Sequence, residues 1–329
     1  MAEVRDWLSR LLELIPVRGT VDFRCFFGAP WRVDFAAAEP GEIDYHVILG
    51  GSAVLEDGGG GGARKLTAGD ILLFPHGAAH ALRDESGRAP IVARARQGPN
   101  LVFQENEGTG ERLDMMCGRF VLAPAHERLM RSSLPPRLIV RAAENSAAVA
   151  GPGTGAQVAT LVALLRAESA SEHLGGLAML NALSTALFTL ALRLAGESQQ
   201  APAGLLALAG NPRLAPALAA LFNEPSRPWT LPELARLCNM SRATFIRHFQ
   251  ERLGRSAKDL LADIRMTVAA NTLKTSDTAT AAVAELAGYQ SEAAFQRAFK
   301  QRTGITPAQW RRQARAHQQD GAGVPAPRA

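Results

Sequence analysis

The first 120 positions contain five cysteine and histidine residues, whose side chains bind soft metals and, in the case of cysteine, react with oxidants: Cys25, His46, His76, His80 and Cys117. Thiolates and neutral imidazoles are ligands of zinc and copper(I), and thiols are also oxidised to disulfides. All five are candidates for an effector or redox site, and Cys25, His76 and His80 form the candidate metal set. A packing role stays open, because free cysteines in protein cores are usually inert.

A second group of chemically capable residues repeats at a period of 50. Residues 241–254 and 291–304 are identical at seven of fourteen aligned positions. Arg247 and Arg297 each lie between two phenylalanines that are four residues apart. Such phenylalanines bury one face of a helix, so the arginine points elsewhere and is able to donate two hydrogen bonds to a guanine.

The elements that must position these arginines are helices with marked ends. Ser241 and Ser291 predict N-caps, and Gly254 and Gly304 predict left-handed C-caps. The neighbouring predicted helices span 231–237, 259–274 and 280–287. A short helix, a turn and an exposed second helix form a helix-turn-helix, whose second helix fits the major groove.

Charge is distributed unevenly along the chain. Residues 225–315 carry 15 Lys and Arg against 7 Asp and Glu, a net charge of +8, whereas the rest of the chain has a net charge of −3. This asymmetry favours a nucleic-acid partner at one end only. Two alternatives stay open for the repeat: a plain helical bundle with solvated arginines, and architectural DNA binding without sequence preference.

Residues 205–315 resemble the DNA-binding domain of the AraC/XylS family of bacterial transcription regulators. The resemblance rests on Leu234-Ala235, on the Phe-Arg-Phe positions of both repeats and on the closing segment from Thr306 to Arg311. It implies two sets of base-facing side chains, namely Arg242, Ala243, Ile246 and Arg247 in the first groove, and Glu292, Ala293, Gln296 and Arg297 in the second. Phosphate contacts, which fix register without selecting sequence, are expected from Arg242, Arg255, Lys258 and Arg302.

The first 142 residues are rich in glycine and in short alternating runs, which predict the strands of a β-barrel or sandwich. The segment from Gly69 to His80 resembles the second conserved motif of cupin barrels. At the first motif, where cupin metalloenzymes have two histidines followed by a glutamate, only Tyr45-His46 matches. The resemblance therefore implies a cupin-like fold without a complete three-histidine, one-glutamate metal site and without oxygenase chemistry.

Residues 5–195 as a whole are similar to the cupin-type sensor domains of AraC-family regulators, some of which sense reactive chlorine. In some of those relatives a cysteine of an early strand acts with the His-Gly-x-x-His region, and Cys25 occupies that strand here. The resemblance implies control by an effector, a metal such as zinc or copper(I), or an oxidation event. The DNA-binding domain is expected to need no cofactor.

Leucines recur at helical spacing between residues 158 and 194, and residues 174–192 contain no charged side chain. Their number approaches a membrane span, but Asn181, Ser184, Thr185 and Thr189 interrupt the run. The segment predicts a buried helix pair that supplies a face for a homodimer.

The sequence thus predicts an α+β multidomain protein with four parts: a cupin-like sensor β-barrel (1–144), linker and dimerisation helices (145–204), an all-α DNA-binding domain (205–315) with two helix-turn-helix units (about 229–254 and 280–304), and a disordered tail (316–329). Three widely separated cysteines favour the cytoplasm. We expect a sequence-specific transcription regulator and not an enzyme. Its partners would be a double-stranded DNA operator, RNA polymerase if it activates, and a second copy of itself, but no membrane. The alternative is a cupin-fold metalloenzyme with an appended nucleic-acid-binding domain.

Overall fold

The computed structural model describes residues 6–57, 62–141, 153–198 and 202–320. These residues group into two compact units. The barrel unit consists of 17–122 with 134–202, and the helical unit consists of 6–16, 123–133 and 203–320. This grouping differs from the predicted division at 144 and 204, because two segments of the predicted sensor domain pack with the carboxy-terminal helices, and the helices after residue 153 pack with the barrel.

The strands of the barrel unit form two sheets. Their bounds are β1 Val17–Gly28, β2 Arg32–Phe35, β3 Glu42–Gly50, β4 Ser52–Asp57, β5 Arg64–Thr67, β6 Asp70–Phe74, β7 His80–Arg83, β8 Arg94–Gln97, β9 Val102–Glu105, β10 Arg112–Leu122 and β11 Leu138–Arg141. The larger sheet has the order β11-β6-β3-β10-β1-β9-β8, and the smaller has the order β2-β7-β4-β5. Only β1 and β9 pair in parallel among the described strands.

The helices divide between the two units. They are α1 Trp7–Leu14, α2 Pro124–Arg131, α3 Thr154–Ser169, α4 Gly176–Glu197, α5 Leu205–Ala209, α6 Ala215–Asn223, α7 Leu231–Leu237, α8 Arg242–Leu253, α9 Ala257–Thr275, α10 Thr280–Leu286, α11 Glu292–Thr303 and α12 Pro307–Asp320. Helices α3 and α4 belong to the barrel unit, and the others build the helical unit.

The barrel core lies between the two sheets. Leu55 and Leu82 of the smaller sheet and Phe27 and Met115 of the larger sheet are buried in one apolar cluster. The turn from β3 to β4 needs a glycine at position 51, where φ is +80° and a Cβ would lie 2.0 Å from a backbone oxygen. The expected cupin-like barrel is confirmed. Residues 58–61 of the predicted β4–β5 hairpin loop lie outside the described residues.

Helices α3 and α4 pack against each other, and α4 also packs against β1. The ring of Phe188 on α4 lies 4.8 Å from that of Phe120 on β10. Among the described residues, α4 alone has the length and apolar composition that a membrane span would need, but the same features suit a helix packed on a barrel. The predicted linker at 145–155 lies almost entirely outside the described residues.

The helical unit is built around α9, which contacts α2, α6, α8, α10, α11 and α12. Helix α1 joins this core through the buried Leu8, Leu11 and Ile15, and Asn271 of α9 donates a hydrogen bond to the Leu14 carbonyl at 2.8 Å. Helix α12 continues to Asp320, so 316–320 are helical and not part of a disordered tail. Arginine, glutamine and alanine make up eight of the nine residues at 311–319 and favour a helix. Residues 321–329 lie outside the described part.

Candidate DNA interface and barrel cluster

Helices α8 and α11 are the second helices of the two helix-turn-helix units. Both begin and end where the repeated sequence predicts. The hydroxyls of Ser241 and Ser291 accept hydrogen bonds from the backbone N–H three residues later, at 3.2 and 3.3 Å. Gly254 and Gly304 end the helices with φ values of +78° and +81°. Each repeated serine and glycine therefore fixes one end of a helix.

The repeated phenylalanines bury one side of each helix. Phe245 and Phe249 have ring centroids 5.3 Å apart, and Phe295 and Phe299 have centroids 5.5 Å apart. All four are buried. The other side exposes every side chain predicted to face bases: Arg242, Ala243, Ile246 and Arg247 on α8, and Glu292, Ala293, Gln296 and Arg297 on α11.

Three of these exposed side chains make contacts within their own helix. Arg247 lies 3.9 Å from Glu251, and the Gln296 amide donates a hydrogen bond to Glu292 at 2.8 Å. Exposed contacts between residues four apart contribute little to stability. A DNA base or phosphate is therefore able to replace them at low cost.

The predicted phosphate-binding roles of Arg255 and Arg302 do not fit their positions. Both guanidinium groups are mostly buried and pair with Asp263 of α9. The sequence pattern showed only that they were basic and near a helix end, and it did not show which way they point. Arg242 and Lys258 are exposed and remain candidates for phosphate contacts.

Two charged residues of α9 with structural roles escaped the sequence analysis. Asp263 binds arginines, and Arg265 donates hydrogen bonds to the Pro225 and Arg227 carbonyls at 2.7 and 2.9 Å. Arg265 thereby holds the loop that precedes the first helix-turn-helix unit. The available signal was the presence of two charges inside an otherwise apolar run over 260–270.

In the barrel unit, four of the five cysteine and histidine candidates form a chain of contacts, which we call the barrel cluster: Cys25, Cys117, His46 and His80. His46 Nδ1 lies 3.1 Å from Cys117 Sγ, and His46 Nε2 lies 2.8 Å from His80 Nε2. Cys25 lies with Cys117 in the same buried core cluster, and its neighbouring thiol helps to raise the pKa of Cys117. All four side chains are buried.

The fifth candidate, His76, is not part of the barrel cluster. Its Nε2 lies 3.0 Å from the Leu134 carbonyl oxygen. The candidate metal set of Cys25, His76 and His80 is therefore not brought together. Across the described ranges, no three or more His, Cys, Asp or Glu side chains are grouped as metal ligands. Spacing in a Pro-x-Gly turn did not reveal that His76 and His80 point in different directions.

Burial keeps the imidazoles neutral and the thiol protonated. Burial lowers the pKa of His80 to about 4, and burial together with the neighbouring His80 lowers the pKa of His46 well below its usual value. The rings of Phe35 and Phe74 stack on His80 with centroids 4.8 and 3.7 Å away. Burial and the adjacent Cys25 raise the pKa of Cys117 well above that of a free thiol.

The hydrogen bonds of the barrel cluster run in one direction. His80 Nδ1 lies 3.0 Å from the Ala78 carbonyl, which only accepts, so Nδ1 carries the proton. Neutral His80 then accepts at Nε2 from His46 Nε2–H, and His46 Nδ1 is left unprotonated. That nitrogen accepts the Cys117 S–H. The backbone carbonyl thus orients a base at the Cys117 thiol.

A cupin barrel and a pair of helix-turn-helix units in one chain define a class of protein, the transcription regulator with its own sensor domain. Models of the two domains match the chain: a cupin model over residues 6–195 and a helix-turn-helix domain model over residues 234–313.

The chain matches known transcription regulators over nearly the whole length of both sequences. The chain is 30% identical over 309 residues to an uncharacterized HTH-type transcriptional regulator of Haemophilus influenzae, with 93% of this chain and 98% of the relative covered. It is 28% identical to the RCS-specific HTH-type transcriptional activator RclR of Escherichia coli, with 94% and 98% covered. A similar solved structure is the DNA-binding domain of AdpA in complex with a target DNA, at 30% identity, 34% and 99% coverage and a TM-score of 0.32.

The chain belongs to the AraC-type family of helix-turn-helix transcription regulators that carry an amino-terminal cupin domain. The prediction of a sequence-specific DNA-binding regulator is confirmed, and the metalloenzyme alternative is not supported.

Replacing Arg247 or Arg297 with alanine should lower specific DNA affinity by about 1–3 kcal/mol at one base step, because a bidentate contact to a base edge is lost. The measurement is titration of operator duplexes substituted at each position, with Arg213→Ala as an exposed control outside the recognition helices. An equal loss on random duplexes would assign these arginines to phosphates instead.

The lowered pKa of His80 should make the barrel less stable in acid. An unfolded histidine takes up a proton near pH 6.5 and folded His80 only near pH 4, so the unfolded state binds more protons between these values. Full stability is present above pH 6.5, and about 3 kcal/mol is lost as the pH falls to 4. Urea unfolding of His80→Gln should show a flatter pH profile over this range, and His173→Gln, an exposed control, should follow the parent protein. A parent-like slope in His80→Gln would contradict the assignment.

Proposed function

We propose that the barrel cluster senses a strong two-electron oxidant and thereby changes the DNA binding of a homodimer. The observation that carries this proposal is that two buried thiols are neighbours across β1 and β10, and that one of them donates to a neutral imidazole. The relative from Escherichia coli is named as specific for RCS, reactive chlorine species, which supports an oxidant of the hypochlorous acid class.

Because of the register of β1 and β10, a disulfide between Cys25 and Cys117 forms only if the backbone moves. Cys25 pairs with Met115 and Cys117 pairs with Phe23, so the two cysteines are diagonal neighbours on the same face. Diagonal neighbours have Cα atoms about 7–8 Å apart, whereas a disulfide needs about 4.4–6.8 Å. Closing the bond therefore requires β1 and β10 to shift relative to each other.

The oxidation balances with hypochlorous acid as the co-reactant. The Cys117 sulfur takes chlorine to form a sulfenyl chloride, while the thiol proton, oriented by its hydrogen bond to His46 Nδ1, passes to the departing hydroxide to give water. The Cys25 thiol then displaces chloride, forming the S–S bond and releasing one proton. Cys117 has a raised pKa and little thiolate, so weaker electrophiles such as hydrogen peroxide should react slowly.

On the opposite face of β1, Arg24 connects the β1–β10 pair to α3, so a shift of these strands reaches that helix. Arg24 precedes Cys25 and forms a buried ion pair with Asp114 of β10 at 2.7 Å. The same guanidinium donates to Ser169 Oγ at 2.9 Å and to the Arg166 carbonyl at 3.3 Å, both on α3. A shift between β1 and β10 therefore changes the contacts of Arg24 with α3, and with them the position of α3 on the sheet.

The helix pair α3–α4 offers the surface for a second copy. Its largest exposed apolar side chains, each about half exposed, are Leu164, Leu177 and Met179. Exposed alanines extend the surface along both helices, at positions 156, 159, 163, 167, 178, 182 and 186. Apolar patches of this kind mark interfaces, and a self-complementary patch gives a two-fold dimer.

The remaining partners follow from this function. A dimer presents two DNA-binding regions to a double-stranded operator, and RNA polymerase would be contacted if the protein activates. Such a protein works where the chromosome is, in the cytoplasm, without a membrane partner.

Replacing Cys25 or Cys117 with serine should abolish the change in operator affinity caused by one equivalent of hypochlorous acid. His46→Gln should slow the reaction about 10²-fold, because a positioned base is lost. The measurements are mass spectrometry of the Cys25–Cys117 disulfide and operator titration, with Cys238→Ser as the control because Cys238 is buried in the helical unit. A full response in Cys117→Ser would refute the redox proposal, and a response to zinc or copper(I) alone would favour the metal role.

Met179→Glu should convert a dimer to a monomer in light scattering at micromolar concentration, because it buries a charge in the apolar contact. Val92→Glu makes the same kind of change at an exposed apolar residue outside the helix pair and should leave the dimer intact. A parent protein that is strictly monomeric at this concentration would contradict the proposed interface.

A further inference from the structure

Asp263 of α9 is a buried carboxylate to which three separate segments of the helical unit bring an arginine. Arg255, between α8 and α9, binds Oδ2. Arg302 of α11 lies 3.3 Å from Oδ1, and Arg128 of α2 lies 3.2 Å from the same oxygen. One acidic side chain thus joins three elements that are far apart in sequence.

Two of the three arginines lie at the ends of α8 and α11, which we call the DNA-facing helices. Arg255 follows Gly254, the residue that ends α8, and Arg302 lies in the last turn of α11. Helix α9 runs between the two helix-turn-helix units as a continuous helix of 19 residues. The two ion pairs to Asp263 therefore tie the end of each of these helices to α9, the helix that lies between the two helix-turn-helix units in the chain.

The charges around Asp263 are unequal, because three guanidinium groups share one carboxylate. Burial lowers the pKa of Arg255, and the neighbouring Asp263 opposes that effect. Two of its nitrogens, Nε and Nη2, are buried and have no hydrogen-bond partner within the described part of the chain. Removing the carboxylate would leave buried cations uncompensated, which a protein tolerates poorly.

The third arginine is the exchangeable one. The side chain of Arg128 is 56% exposed, compared with 16% for Arg255 and 21% for Arg302. Exposed ion pairs are weak, so Arg128 is able to leave Asp263 while the other two remain. A cavity of about 310 Å³ gives it space to move; the cavity is lined by Arg128, Asp263 and Arg302, by the Glu127–Arg131 pair of α2 and by residues of α9, α11 and α12.

The helix that carries Arg128 follows directly after a strand of the barrel unit. Helix α2 begins at Pro124, and only Ala123 separates it from the end of β10 at Leu122. Strand β10 carries Cys117. The segment that delivers the exchangeable arginine is therefore a direct continuation of a strand of the barrel cluster.

We propose that Asp263 is a positioning residue for DNA recognition. Through Arg255 and Arg302 it sets the spacing between the two DNA-facing helices, and through Arg128 it makes that spacing depend on α2. This inference rests on the sequence-based prediction that both α8 and α11 contact DNA. Residues that touch no base would then determine how far apart two half-sites must lie. Here the half-sites are the two major-groove sites that α8 and α11 of one chain contact.

The test uses the full-length protein and an operator selected by it from a random duplex library. Affinity is measured for that operator, for versions with one base pair added or removed between its half-sites, and for each half-site alone. The variants are Asp263→Asn, Arg128→Met and, as the matched control on α2, Arg131→Met. Arg131 is similarly exposed and pairs with Glu127 instead of Asp263.

Asp263→Asn should lower the preference for the selected spacing at least about tenfold while half-site affinity changes little, because each DNA-facing helix is intact by itself. Arg128→Met, which leaves both buried pairs in place, should lower the preference about threefold, and Arg131→Met should not change it. Arg128→Met carries the test if Asp263→Asn proves unstable in thermal melting.

Two outcomes would overturn the inference. A loss that is equal for half-sites and for all spacings would show that Asp263 only supports folding. Parent-like spacing preference in both Asp263→Asn and Arg128→Met would show that other contacts set the spacing. Failure of the two-helix role is recognised separately, since Arg297→Ala would then leave operator affinity unchanged in the parent background.

Discussion

The alternation of side chains along β1 and β10 is the constraint on which the rest of the barrel unit depends. Successive residues of a strand point to opposite faces. Cys25 and Cys117 therefore enter the core between the sheets, whereas Arg24 and Asp114, one and three positions away, face α3. A single pair of strands thus has one face that carries the two thiols and another that holds the helices. A shift of register is felt on both faces at once, because the backbone is shared.

In the helical unit, apolar burial orients the two DNA-facing helices and leaves their exposed side chains unused. Each DNA-facing helix buries a pair of phenylalanines and exposes its other side, so apolar burial orients the exposed side chains without using any of them. The polar contacts to Asp263 are made at the carboxyl ends of these helices, whereas the side chains predicted to face bases lie in their first halves. Helices α1 and α2 from the first part of the chain complete this unit, so its stability depends on segments that a helix-turn-helix pattern does not include.

Local signals in the sequence predicted the helical elements well. A serine that caps a helix acts on an N–H three residues away, and a glycine in the left-handed region acts at its own position, so both are visible within one turn. The repeat then predicted two equivalent helices with equivalent exposed residues. The roles of Arg255 and Arg302 were missed because a basic side chain near a helix end looks the same in sequence whether it points to solvent or to a buried carboxylate.

The sequence by itself determined the two kinds of architecture, the duplicated helix-turn-helix and the identity of the residues able to do chemistry, since these depend on periodicity and on neighbours within a few positions. Only the tertiary structure decided that Cys25, His46, His80 and Cys117 meet while His76 does not, and that Asp263 gathers arginines from three segments. The physical reason is that such meetings depend on strand register and helix packing between residues as much as 135 positions apart, and no local pattern encodes them.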